Sequence, residues 1–233
     1  MILCLETATQ VCSAALCDRN RVISVRGSSE GKSHASLLTL YIEEMLYETG
    51  IKTSGLEAIA VSKGPGSYTG LRIGVSVAKG IAYASSLPLI GIGTPESMFR
   101  GFIAENKLKY DFCDNDIFCP ALDARRMEIY YSMFDINGRV IKDTCAEVIT
   151  ENSFTHIPES KRIFFFGDGA LKMKNVIKRS NVIYSADFII SAASMHHAAY
   201  NALDEKNFED VAYFEPFYLK DFITSKPVKN ILG

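Results

Sequence analysis

The stretch "KGPGSYTGLRIG", Lys63 to Gly74, sets four glycines and a proline into twelve residues. Before it runs "LEAIAVSK", Leu56 to Lys63, an apolar segment suited to a buried strand. After it "GLRIGVSVAKGIAYASS" reads as a helix from about Gly70 to Ser85. A strand, a glycine turn and a helix start can aim backbone N–H groups at an anion. The spacing is not that of the Walker loop, because the fifth residue after Gly64 is Thr69 and no Gly-Lys-Ser/Thr follows. Nor is there a GxGxxG. Two readings stay open. Gly64, Pro65, Gly66, Ser67, Thr69 and Gly70 form a weak anion site, or they set the backbone for a tight strand-to-helix turn, with Ser67 or Thr69 as cap.

Outward from this turn the pattern is β-β-β-α-β-α-β-α. "ILCLE", "CSAALCD" and "RVISVRG" are three strands, the last two separated by the turn residues "DRN". "EGKS" breaks the pattern, and a helix begins near Ser33 and ends at Gly50, a suitable residue just past a helix end. "LPLIGIG" is a short strand. "TPESMFRGFIAEN" starts a helix with Thr94 as N-cap, Pro95 at the first helical position and Glu96 in the first turn. This order is that of half an actin-like or sugar-kinase-like domain, a fold-level analogy. The charge-mixed "LKYDFCDND" is the boundary. Beyond it, "IFCPALDARRMEIYYSMFD" reads as two strands around a turn, "NGR" at Asn137 to Arg139 as a hairpin, and "RIFFFGDGA" as a strand ending in a glycine turn. "SAASMHHAAYNALDE" is expected as a helix, and "FEPFYLKDFITSKPVKNILG" as extended chain.

Two helices carry surface puzzles. On Ala35 to Thr49, Leu37, Leu38, Tyr41, Ile42, Met45 and Leu46 form one apolar stripe. Leu40 and Tyr47 fall on the opposite side, as ordinary exposed apolars or as a partner-facing strip. On Gly70 to Ser85 the polar residues Arg72, Ser76 and Lys79, with Tyr83, lie within roughly 60° of arc. Everything else is apolar or small. Such a helix is sandwiched in its own core or covered by another chain. The expected partner surface comprises Leu40, Tyr47, Arg72, Gly74, Val75, Ala78, Lys79 and Ala82.

Composition limits the chemistry. The net charge of −2 lacks the basic surplus of a chain that grips nucleic acid by itself. No run reaches the about 18 apolar residues of a membrane span, and "MILCLETATQ" reads as a first strand, not a signal peptide. Six cysteines without a CxxC pair are expected to be reduced, in a cytoplasmic protein. His34, His156, His196 and His197 form no HExxH or HxxxH, and no GxSxG occurs, so neither metal ligands nor catalytic residues are assigned and no cofactor is expected. Asp123 and Asp168 end strands, where turn and ligand roles are equally open. Glu6 stands where actin-like ATPases put a carboxylate beside phosphates. Lys172, Lys174, Lys178 and Arg179 read as a solvated helix face or a tRNA-touching patch.

"ILCLETAT", "GKSHASLLTLYIEEML", "KGPGSYTGLRIGVSVAKGIA", "LPLIGIGTPESM", "LDARRMEIYY", "FGDGA" and "FEPFYLK" together resemble the TsaB (YeaZ) family, in its order and over nearly the whole chain. Asp is common there in place of Glu6, and Phe in place of Tyr68. The resemblance implies an α/β fold of two actin-like (ASKHA, ribonuclease H-like) subdomains, each a mixed sheet with flanking helices. Here they would be residues 1–105 and 106–233, the last segment able to pack back on the first. It also implies a non-catalytic partner of the TsaD-type transferase and the TsaE-type ATPase. That complex forms threonylcarbamoyladenosine beside the anticodon of tRNAs reading codons that begin with A. The tRNA would be reached only through the complex. TsaB proteins bind TsaD through their two N-terminal helices and can form homodimers through the same surface. TsaD relatives carry a His-x-x-x-His metal pair where this chain has Thr94 and Met98. The alternatives are an independent ASKHA-type ATPase or phosphotransferase using Glu6, the glycine turn and Asp168, or an M22-like metallopeptidase.

Overall fold

A computed structural model describes residues 1–29, 34–185 and 187–220. The expected start of the first long helix at Ser33, and most of the expected extended tail, lie outside them. The strands are β1 (Ile2–Glu6), β2 (Cys12–Cys17), β3 (Val22–Ser28), β4 (Ala58–Gly64), β5 (Leu89–Gly93), β6 (Ile117–Asp123), β7 (Glu128–Phe134), β8 (Val140–Val148), β9 (Ile163–Phe166) and β10 (Val182–Ser185). The helices are α1 (His34–Thr49), α2 (Tyr68–Ser85), α3 (Thr94–Asn106), α4 (Ala170–Val176) and α5 (His196–Asp204).

The ten strands make two five-stranded sheets, ordered β3-β2-β1-β4-β5 and β10-β9-β6-β7-β8. In each, the first strand pairs antiparallel with the second and parallel with the fourth. One wiring is therefore used twice, as expected of an actin-like α/β fold with two mixed sheets. The hairpins follow from short polar turns: Asp18 at the β2–β3 turn accepts from the N–H groups of Asn20 and Arg21, and Asp135 at the β7–β8 turn from those of Asn137 and Arg139. Gly138, with φ of 82°, supplies the left-handed residue there.

Both sheets are covered on both faces, which is why β1 and β6 are apolar almost throughout. Leu3 and Leu5 pack with Leu38, Ile42 and Met45 of α1 and Val75 and Ala78 of α2. Ile2 and Cys4 point the other way, onto Met195 and onto Ala198, Ala199 and Tyr200 of α5. In the second sheet, Phe118, Phe164 and Phe166 pack with Met98, Phe99 and Phe102 of α3. The Phe102 and Phe166 rings stack with centroids 4.0 Å apart. So α3, from the first half of the sequence, closes the second sheet, and α5, from the second half, closes the first.

Local departures have physical causes. Gly93, not Thr94, precedes the first turn of α3; Thr94 is the first helical residue, fully buried, with its hydroxyl unpartnered. The helix expected over "SAASMHHAAYNALDE" is split. Ser191 caps a 3-10 turn over Ala192–Met195 by accepting from the Ala193 N–H, and α5 begins only at His196. Gly50, with φ of 68°, ends α1 as expected.

Candidate functional site

At the glycine turn, β4 ends on Gly64, whose φ of 110° suits glycine alone, and the Gly64–Pro65 bond is cis. Ser67 caps α2, its hydroxyl accepting from the Gly70 N–H at 3.2 Å, while Thr69 is exposed inside the first turn and caps nothing. The cradle is filled by the chain itself. The Ser67 N–H donates to the Ala8 carbonyl at 2.6 Å. A Cβ on Gly66 would sit 2.3 Å from that oxygen, and one on Gly70 2.1 Å from the Thr7 carbonyl. A Cβ on Gly74 would fall 2.3 Å from the Thr7 hydroxyl. These glycines let the Thr7–Ala8 turn press into the helix start, where a phosphate-binding loop would hold its anion.

Behind that turn lies Glu6, fully buried. One carboxyl oxygen accepts from the Ala8 N–H at 2.6 Å and the Ser62 hydroxyl at 3.0 Å; the other is buried without a partner. Burial pushes its pKa up to about 7, against the lowering effect of those hydrogen bonds. The same position of the repeated wiring in the second sheet is Asp123, and the same turn is Gly167-Asp168-Gly169. The structure joins these two acids: the Asp123 N–H donates to Asp168 Oδ1 at 3.0 Å. Asp123 Oδ1 accepts from the Arg125 N–H at 2.6 Å and from Lys172 Nζ at 2.5 Å. Desolvation holds the Asp168 carboxyl above its usual range; the bond from Asp123 N–H opposes this and the Asp123 charge adds to it. No hydrogen bond or ion pair among the described residues links Glu6 to either aspartate.

The basic run does not form one solvated face. Lys172 is bound to Asp123, and the Arg179 guanidinium donates to the carbonyls of Phe154 and Ile157. Helix α4 ends at Val176, before Lys178 and Arg179. Among the histidines, the His34 ring meets the Val11 carbonyl and the His196 ring the Asp18 carbonyl. Among the described residues no three His, Cys, Asp or Glu side chains cluster as metal ligands. Thr94 and Met98, in the first turns of α3, are buried.

Helices α1 and α2 lie side by side on one face of the first sheet. Leu40 is 45% exposed, Tyr47 88% and Tyr83 82%. Ile73, Val77 and Ile81 of α2 and Leu37 and Tyr41 of α1 are half-buried against the same core. A groove lined by Tyr68, Thr69, Arg72, Ile73, Ser76 and Val77 of α2 opens beside Ala35 of α1. The expected surface needs one correction. Gly74, Val75, Ala78 and Ala82 are turned into the protein, Ala78 completely. Their small size brings α2 close to its own sheet, which periodicity alone does not distinguish from closeness to another chain.

The other finding is what two residues of the polar line of α2 hold. Arg72 Nε donates to the Tyr218 hydroxyl at 3.0 Å, and its guanidinium lies 4.2 Å from the Tyr68 ring centre. Lys79 Nζ donates to the Phe214 and Ala212 carbonyls at 2.9 and 3.2 Å. Both side chains hold the chain's own residues 212–218. The last segment was expected to be able to pack back on the first half, and residues 212–218 lie there against α2; which residues of α2 would hold them was not read from "FEPFYLK".

The family model described as "TsaD: tRNA N6-adenosine threonylcarbamoyltransferase" matches residues 28–226. The chain is 26% identical over 226 residues to the tRNA threonylcarbamoyladenosine biosynthesis protein TsaB of Bacillus subtilis, covering 94% of this chain and 93% of that protein. It is 31% identical over 139 residues to the TsaB protein of Escherichia coli, covering 59% of this chain and 57% of that one. The match to the Haemophilus influenzae TsaB protein, at 31% identity, spans 52% of that protein, so the chain aligns with about half the length of these two relatives. The crystal structure titled "YeaZ from Pseudomonas aeruginosa" is similar in fold, with a TM-score of 0.80 at 24% identity over 94% of this chain and 99% of that one.

Proposed function

The chain belongs to the TsaD family, in its TsaB (YeaZ) group, and from that premise we propose that it serves threonylcarbamoyladenosine formation on tRNA as a non-catalytic partner of a TsaD-type transferase. The observation that carries this reading is the outer face of α1 and α2. Leu40 and Tyr47 of α1 and Tyr83 of α2 stand exposed there, and Ile73, Val77 and Ile81 of α2 are half-buried. Exposed tyrosines on paired helices are the residue type that anchors interfaces. The transferase docks on this face, and a second copy of the chain uses the same face when the transferase is absent. The TsaE-type ATPase and the tRNA join through the complex. The modified adenosine is the one beside the anticodon in tRNAs reading A-starting codons.

The glycine turn supports an accessory role. Its inner side is taken by Thr7 and Ala8, and Glu6 is sealed behind it. An independent ASKHA-type ATPase would need both open to a nucleotide. Calorimetry of the isolated chain with magnesium and ATP is expected to show no binding heat; a saturable heat would favour the ATPase.

The docking test uses Leu40→Glu with Tyr47→Glu, side chains that leave the core intact because both project into solvent. Titrated with the TsaD-type transferase of the same source, the double variant is expected to bind at least about tenfold more weakly, a loss of about 1.4 kcal/mol. Its thermal midpoint should match that of the parent. Equal affinity of variant and parent would remove α1 from the interface and overturn the reading.

A further inference from the structure

We infer that residues 209–220 are a releasable strap, latched where Tyr218 meets Tyr68 and Arg72, that closes the glycine turn and ties the two sheets together. Its path is continuous. Glu209 joins the edge of the first sheet, its N–H donating to the Leu89 carbonyl at 2.8 Å, and its carboxylate meets Lys63 at 3.2 Å. Phe214, 8% exposed, drops into the core of the first sheet. The Phe217 N–H donates to the Lys63 carbonyl at 2.7 Å, directly beside Gly64. Tyr218 reaches Arg72, and Lys220 pairs with Glu128 at the start of β7, in the second sheet.

Two glycines form the seat. A Cβ on Gly64 would lie 2.7 Å from the Phe217 carbonyl oxygen. One on Gly91 would lie 2.6 Å from Glu209 Oε1 and 3.0 Å from the Phe214 ring. The contacts differ in kind along the strap. Up to Phe214 it is held by a buried aromatic ring. Beyond Phe214 it is held by one backbone hydrogen bond, the latch and a surface ion pair, contacts that open locally far more easily than a core does. The latch combines a cation over an aromatic face with a hydrogen bond, and the Tyr68 and Tyr218 ring centres are 4.9 Å apart. When the latch releases, the backbone of the glycine turn loses its outer cover and the link from α2 to β7 is broken.

Amide hydrogen exchange on the full chain tests this directly, and its outcome does not depend on the docking reading. In Tyr218→Ala the Phe217 and Ser67 N–H groups are expected to exchange about tenfold faster than in the parent, the scale of losing one stacked, hydrogen-bonded contact. Tyr218→Phe, which keeps the ring and loses the hydroxyl, should fall between. The amides of β9, Ile163–Phe166, should not change. Three results would overturn the inference: an unchanged Phe217, faster exchange throughout β9 as well, or a faster Phe217 with Ser67 unaffected. The last would leave a strap that does not close the turn.

Discussion

Glu6 is where one atom's surroundings decide the reading. Its sequence position suggested a carboxylate among phosphates; the fold seals it under the Thr7–Ala8 turn with one oxygen unpartnered. The acid was legible and its burial was not, because the sealing comes from Gly66 and Gly70, far along the chain. A carboxyl with a native pKa raised from 4.5 to about 7 favours the folded state when protonated. That stability is fully present below about pH 4.5 and is lost as pH rises through about 7. The shift corresponds to about 3 kcal/mol. Glu6→Gln stays neutral, so its stability relative to the parent should improve by about that amount between pH 4.5 and pH 8. Urea unfolding of both proteins at the two pH values measures it. A constant difference would mean that Glu6 titrates as an ordinary exposed acid.

Helix α2 shows how one pattern serves two masters. Its thin polar line and many small residues read as a helix sandwiched in its own core or covered by another chain; in the structure one side packs on its own sheet and Arg72, Ser76, Gly80 and Tyr83 are exposed. The covering agents were not legible, since a glycine against its own sheet and a glycine against a partner look alike in sequence. The structure separates them. Gly70→Ala drives a methyl into the Thr7 carbonyl and should destabilise by roughly 1–3 kcal/mol. Gly80→Ala meets nothing within 4 Å and should stabilise by roughly 0.5–1 kcal/mol through helix propensity. Thermal unfolding of the pair checks the contrast, and equal effects would mean that the Thr7–Ala8 turn does not press on α2. Ala78→Glu places a carboxylate at a fully buried site, so the expected result is loss of the folded chain itself, and it reports nothing on docking. Circular dichroism decides that: a native spectrum and thermal midpoint would put Ala78 on the surface.

For the whole molecule, the strand and helix order of the first half was readable from its hairpin turn and alternating segments; that of the second half was readable only in part, with β10 unassigned, and the repeat came from the family resemblance. The exchange of α3 and α5 between the sheets was not readable. An amphipathic helix announces an apolar face and says nothing of which sheet receives it. The exchange predicts that residues 1–105 alone do not fold cooperatively. Without α5, Ile2, Cys4, Ala60 and Ile90 lose their cover, and without the second sheet so do Phe99 and Phe102 of α3. A sharp, two-state thermal transition in that fragment would contradict this. The same crossing has a consequence during synthesis. The last strand of the first sheet is complete at Gly93, yet the segment that covers its second face begins at Ala192. At roughly 5–20 residues per second, the ribosome needs about 5–20 s to deliver it. For that interval the nascent sheet shows an apolar face that its own chain has not yet closed.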